Sequence, residues 1–178
     1  MTPEERTRLL EKIETEANEY EQTKKACARC ALLAVAQNLK LADEKCIEAT
    51  LKASIPFAGG ICGTRDHCGG LTGGIMAIGL ALCDYDCTQA NPPRRSFVMK
   101  KAKEFHRKFE KEMGFKMCYD IREKGMGRVY DSANPVEAQA FIDDGGYTWC
   151  GKVVGVGARL AAETILDVWE EEGKEFKI

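Results

Sequence analysis

Apolar positions recur every three to four residues along most of the chain, and no segment shows clean two-residue alternation. Leu9, Leu10, Ile13, Ala17 and Tyr20 share one helical face. Thr2-Pro3-Glu4-Glu5 ahead of them has the form of a helix start, with a capping threonine, proline in the first turn and glutamate three residues on. A second apolar face opens at Cys27 and runs through Cys30, Ala31 and Ala34 to near Leu41. The pattern leaves open whether the first helix continues into it or restarts around Lys24. Asp43 caps a shorter helix to about Ala53, with Cys46, Ile47 and Leu51 on one side. From Cys68 the segment CGGLTGGIMAIGLALC predicts a buried helix, its five glycines arguing against a strand. Gly69/Gly73 and Gly70/Gly74 are helical neighbours. Each glycine costs about 1 kcal/mol against alanine, a cost that makes sense if another backbone or a cofactor packs on that face.

Asn91-Pro92-Pro93 interrupts the pattern. A helix from about Arg94 to Met113 follows, with Phe97, Lys101, Phe105 and Phe109 at steps of four and Gly114 as its stop. Cys118 lies just beyond, on a short turn or helix, and Gly125 and Gly127 open a loop. Asn134-Pro135-Val136-Glu137 resembles a capping box for a helix to about Ile142. Thr148 is placed to cap a last helix to about Glu172, striped by Val153, Val154, Leu160, Ala161, Ile165 and Val168. The expectation is an all-α fold, one domain over residues 1–178, built as a single bundle of about five main helices.

Composition narrows the function. The chain has 178 residues, 44% apolar and 30% charged, with a net charge of −2. That charge gives no electrostatic case for nucleic acid or anionic lipid. Lysine and glutamate alternate through KKAKEFHRKFEK, which reads as a solvated face. The longest uncharged apolar run, Leu71 to Cys83, is too short for a bilayer span of about 20 residues. The charged N-terminus lacks the apolar core of a signal peptide, so a cytoplasmic location is expected.

Nine cysteines change the picture: Cys27, Cys30, Cys46, Cys62, Cys68, Cys83, Cys87, Cys118 and Cys150. In a reducing compartment such a chain more often binds metal or cycles redox state than forms a disulfide scaffold. Cys68 and Cys150 fall near predicted helix N-termini, where the helix dipole and free amides lower a thiol pKa. The glycines beside Cys68 let backbone N–H groups approach sulfur. Such a site suits a reactive thiolate, a metal thiolate or an iron–sulfur cluster. Cys27-Ala28-Arg29-Cys30 has no partner CxxC, so it does not spell a zinc ribbon. It lies mid-helix on this pattern, which disfavours a thioredoxin-like role. Cys46 reads as a buried structural thiol. His67, next to Cys68, could tune that thiol or bind metal, though a loop histidine is usually solvated. No serine–histidine–acid set, Walker loop or dinucleotide fingerprint is present.

HCGGLTGGIMAIGLALC resembles the CGAxxG motif of the redox-active family named for its cysteine pattern, C_GCAxxG_C_C. RCALLAV then holds Cys30 at the first cysteine position, and FAGGICGTRDHCGGLTGG supplies the glycine loop and Cys68. KEMGFKMCYDI is similar to the segment of the third cysteine, Cys118, and CGKVVGVGARLAAETIL to the final helix with Cys150. The likeness spans about Cys27 to Leu166. Gly70 stands where the motif has alanine, and Cys27, Cys46, Cys62, Cys83 and Cys87 lie outside the four-cysteine pattern. A related domain occurs in split-Soret cytochromes c, where an iron–sulfur centre accompanies haem. The resemblance implies redox work with an iron–sulfur cluster and Cys30, Cys68, Cys118 and Cys150 as metal ligands. Apart from the resemblance, the curvature of the glycine loop makes Cys62 a further candidate ligand, and the glycine face sets Gly69, Gly70 and Gly73 against a cofactor or a helix. The resemblance also implies electron exchange with a redox partner protein and leaves room for a homo-oligomer. Two alternatives stay open: a metal-free thiol–disulfide oxidoreductase in which Cys68 attacks, and a structural zinc protein.

Overall fold

The computed structural model describes residues 1–83, 86, 88–90, 93–174 and 176. They form eight α-helices, α1 (Pro3–Thr23), α2 (Cys27–Leu39), α3 (Glu44–Ser54), α4 (Gly69–Leu82), α5 (Arg95–Met113), α6 (Cys118–Met126), α7 (Pro135–Asp143) and α8 (Gly146–Glu171), with one 3₁₀ turn over Ile55–Phe57. The all-α class holds. The expectation of about five main helices undercounts, because α3, α6 and α7 are full helices of nine to eleven residues. Among the described residues no helix is long and apolar enough to cross a membrane.

Local chemistry explains most boundaries. The Thr2 hydroxyl accepts from the Glu5 amide and the Glu5 carboxylate accepts from the Thr2 amide, closing the capping box of α1. Asp43 caps α3, and Asn134 accepts from Val136 and Glu137 at the start of α7. Gly114 and Gly127 end α5 and α6 at φ +79° and +74°. One boundary settles what the pattern left open, and two others differ from expectation. The chain does not run on from α1 into α2: Lys25 and Ala26 take left-handed φ values of 60° and 69° and restart the helix at Cys27. CxxC therefore occupies the first turn of α2 and not a helix interior. Gly125 lies within α6, under the Trp149 ring. The last helix begins at Gly146, two residues before Thr148, because Gly145 makes the left-handed turn at φ +76°. Cys87 lies outside the described residues.

α8 is the axis of the molecule. It packs along α1 and α4, and α2 fills the space between them, with α5 laid against α4 and α8. Ile13, Leu32, Val35, Leu71, Ile78, Phe105, Phe109, Val154 and Ile165 make the fully buried core. The glycines let these helices touch backbone to backbone. A Cβ at Gly73 would strike the carbonyl of Ala28 in α2, with the Ala28 Cα at 3.0 Å. A Cβ at Gly157 in α8 would strike the Gly70 carbonyl, whose carbon would stand 2.7 Å away. The Gly70 and Gly73 faces assigned to a cofactor are thus occupied by neighbouring helices. Arg6 pairs with Asp167, and Arg159 bridges Glu14 and Glu112, tying α1 and α5 to α8.

Candidate functional site

Four cysteines meet at one end of the bundle because four helices start there. Cys27 is the first residue of α2, Cys68 the N-cap of α4, Cys118 the first residue of α6 and Cys150 the fifth of α8. An antiparallel bridge between His67 and Met117 sets two of them side by side. Cys68 N–H donates to Lys116 O (2.9 Å) and Cys118 N–H to Asp66 O (2.7 Å). The loop after the 3₁₀ turn closes over them. It passes through five consecutive positive φ values, from Gly59 to Gly63. At Gly60 a Cβ would lie 2.7 Å from Cys118 Cβ, so the loop can cross this thiol only as glycine. Gly69 has no room for a Cβ because the Cys27 sulfur fills that place, with Cys27 Cβ at 2.8 Å. The glycines of the sequence motif make space for a sulfur in one place and for helices in the others.

Every pair among Cys27, Cys68, Cys118 and Cys150 is close enough to interact electrostatically. Cys68 and Cys118 are each 6% exposed, whereas Cys27 and Cys150 are half-buried, so one edge of the group reaches the surface. Cys30 is fully buried, and its thiol donates to Lys25 O (2.9 Å). The sequence motif places Cys30 first in the ligand set, but Cys27 is the thiol that shares its field with the other three. Cys62 is exposed on the glycine loop. Cys46 is exposed near the start of α3, which corrects the expectation of a buried structural thiol. Cys83 closes α4 at its C-cap, far along the helix from Cys68. His67 pairs with Asp66 and faces His106 at 6.3 Å between ring centroids, so it turns toward its neighbours on the surface.

The thiol pKa values run opposite to the expectation from the helix N-termini. Burial raises Cys68 well above the ordinary thiol value, and Cys27 and Cys118 repel its charged form. Burial pushes Cys27 up to about 12 and Cys150 to about 11, and raises Cys118 and Cys30. Helix N-termini do favour thiolates. The Gly70 amide lies near the Cys68 sulfur without closing a full cap bond, and the Gly59 amide favours the Cys27 thiolate. Desolvation and crowding of like charges outweigh these donors. The group therefore consists of neutral thiols that would ionise together only with a cation among them.

Two charged residues were missed by the sequence reading. Glu21 is 4% exposed, and burial lifts its carboxyl to about 7. Its signal was legible: it extends the stripe Leu9, Ile13, Ala17 by one more step of four. The charge of Arg122 on α6 favours the Cys150 thiolate against the burial that raises it. Glu21 Oε2, Arg29 Nε and Arg122 Nε are buried without partners around the thiols. Buried polar atoms left without partners beside four convergent sulfurs fit a site that takes a charged group.

Alkylation of the metal-free protein at pH 8 distinguishes neutral from activated thiols. The exposed Cys46 and Cys62 are expected to react first, and Cys27, pushed up to about 12, at least about a hundredfold more slowly, since each unit of raised pKa removes tenfold of the thiolate; Cys68, buried and raised as well, is expected among the slow group. Mass-resolved labelling reads the order, and a fast Cys68 would establish it as a nucleophile.

No curated protein and no solved structure matches the chain. One family model matches residues 25–164, described as "Putative redox-active protein (C_GCAxxG_C_C)". The match takes in all four helix starts that carry the thiols, and the chain belongs to this C_GCAxxG_C_C family.

Proposed function

We propose that the protein is an electron carrier whose Cys27, Cys68, Cys118 and Cys150 hold an iron–sulfur cluster. The observation that carries this reading is the convergence of four thiols from four helix starts, each in the field of the other three. Such a cluster takes Cys thiolates as ligands and passes single electrons without moving heavy atoms. The chain's own contribution is to hold the sulfurs, aim positive helix ends at them and keep water from Cys68 and Cys118. The half-buried Cys27 and Cys150 leave one edge near the surface, where a redox partner protein could approach.

The neutral, crowded thiols are poor nucleophiles, which weighs against the metal-free oxidoreductase reading. Among the described residues no group of three cysteine, histidine, aspartate or glutamate side chains is arranged to hold a metal ion, so metal analysis has to separate iron from zinc. Anaerobic purification with metal analysis and visible spectroscopy tests the proposal. The expected protein is brown and contains iron and sulfide. A folded, colourless protein without iron would end the reading, and stoichiometric zinc would replace it with a structural one.

A further inference from the structure

The segment between α5 and α8 is fastened to the bundle at few points. Residues 115–144 carry α6 and α7, and each of these helices makes its main contact with α8 alone. The segment places one residue, Ile121, in the main core. Its buried rings gather separately: Phe141 meets Tyr130 edge-on at 5.5 Å and Tyr147 of α8 at 5.1 Å, and Arg122 of α6 lies over the Phe141 ring at 4.5 Å. Phe115, Tyr119, Val136 and Ile142 stay exposed. Among the described residues one ion pair, Lys116 to Glu110 at 3.2 Å, joins the segment to the rest of the chain. Two rings set into glycines latch it to α8. The Trp149 ring fills the place of a Cβ on Gly125, and the Phe141 ring fills that of Gly146. At its start the segment pairs with the loop ahead of α4, through the His67–Met117 bridge, the two amide bonds of Cys68 and Cys118, and Tyr119 N–H donating to Arg65 O (3.0 Å). Both ends are glycines in left-handed turns, Gly114 at φ +79° and Gly145 at +76°, with nothing within 4 Å of a Cβ at either. Backbone rotation there meets little resistance. A unit with little buried apolar surface, few outside bonds and free ends opens at lower free energy than the core it covers.

We propose that residues 115–144 are a strap that opens as one unit on Gly114 and Gly145, carrying Cys118 away from the other three thiols and uncovering Cys68. The proposal rests on the four-thiol site and not on what that site holds. Cys68 is 6% exposed and belongs to the start of α4, outside the strap. Its amide is tied to Lys116 O within the strap, so lifting the strap breaks that bond and brings solvent to the sulfur. Opening of this kind gives an enclosed site its entry, with the motion absorbed at a few positions between elements.

The test measures amide hydrogen exchange and thiol labelling in the full chain, freed of metal by a chelator, for wild type, Gly125→Ala, Phe141→Leu and Gly79→Ala. In wild type the amides of α6 and those of Cys68, Cys118 and Tyr119 are expected to exchange together, at least about a hundredfold faster than the amides of residues 158–162 in the middle of α8. Gly125→Ala drives a methyl group into the Trp149 ring, and Phe141→Leu shrinks the second latch. Each is expected to speed exchange across the strap about tenfold, leave the middle of α8 unchanged, and speed labelling of Cys68 by N-ethylmaleimide in the same proportion. Gly79→Ala is expected to speed neither, since its Cβ meets nothing within 4 Å. If Gly125→Ala does not melt cooperatively, wild type and Phe141→Leu decide. Strap amides that exchange only as slowly as the middle of α8 would overturn the proposal, and so would faster strap exchange with unchanged labelling of Cys68. A chain that takes up no iron ends the cluster reading and leaves the strap to be decided by these rates.

Discussion

Gly73→Val is expected to cost about 3 kcal/mol or more, at the upper end of what overpacking usually costs. The obstacle is backbone. A Cβ at Gly73 would strike the Ala28 carbonyl, with the Ala28 carbonyl carbon at 2.9 Å and Cα at 3.0 Å. No rotamer change relieves that contact, so α4 and α2 must move apart. Moving them separates Cys27 on α2 from Cys68 at the head of α4, so the variant should lose cofactor as well as stability. The better helix propensity of valine returns only a few tenths of a kcal/mol. Thermal unfolding followed by circular dichroism should show a midpoint lowered by about 10 °C. Gly79 is the control on the same helix: a Cβ there meets nothing within 4 Å. Gly79→Ala should therefore stabilise the protein by up to about 1 kcal/mol. If Gly73→Val melts like wild type, the close approach of α2 and α4 is wrong.

That glycine face was legible in the sequence as a demand for close contact, since pairs four apart in a helix have few other uses. What filled it was not legible. Gly70 and Gly73 face other helices and Gly69 faces a sulfur, and nothing local distinguishes these cases. Strong local signals were read correctly where one side chain fixes the outcome, as at Thr2, Asp43, Asn134 and Gly114. The restart at Cys27 was illegible for the opposite reason. Lys25 and Ala26 adopt left-handed backbone without glycine or asparagine to announce it. That turn decides which thiol of CxxC faces the site, because residues three apart point nearly 60° away from each other on a helix of about 3.6 residues per turn. The thiol pKa values failed similarly. A helix start is visible in sequence, but the burial and mutual repulsion that outweigh it arise only from assembly. Arg122 carried no signal at all, since its partners lie on α7 and α8.

Cys68→Ser is expected to abolish cofactor binding while leaving the fold intact, which makes it the sharpest test of the site. Cys68 is the N-cap of α4, at φ −58° and ψ 138°. Serine is among the best N-cap residues, so the hydroxyl suits the helix start at least as well as the thiol. Size hardly changes, and the amides of α4 keep an acceptor. What disappears is a soft thiolate donor at the most enclosed corner of the group, where a hydroxyl stays protonated and binds iron poorly. Iron per chain should fall by more than about tenfold, a loss that removing only the partner of a ligand can already approach. Melting of the metal-free variant should stay close to that of metal-free wild type. Cys46→Ala provides the comparison: Cys46 is exposed near the start of α3, so iron content and melting should both be unchanged. Cys62→Ser separates the loop thiol from the group. It should keep full occupancy, because Cys62 is exposed on the outer side of a turn whose Gly60 already lies against Cys118. A Cys68→Ser protein that holds iron as wild type does, and shows the same reducible spectrum, would place the redox centre elsewhere in the molecule.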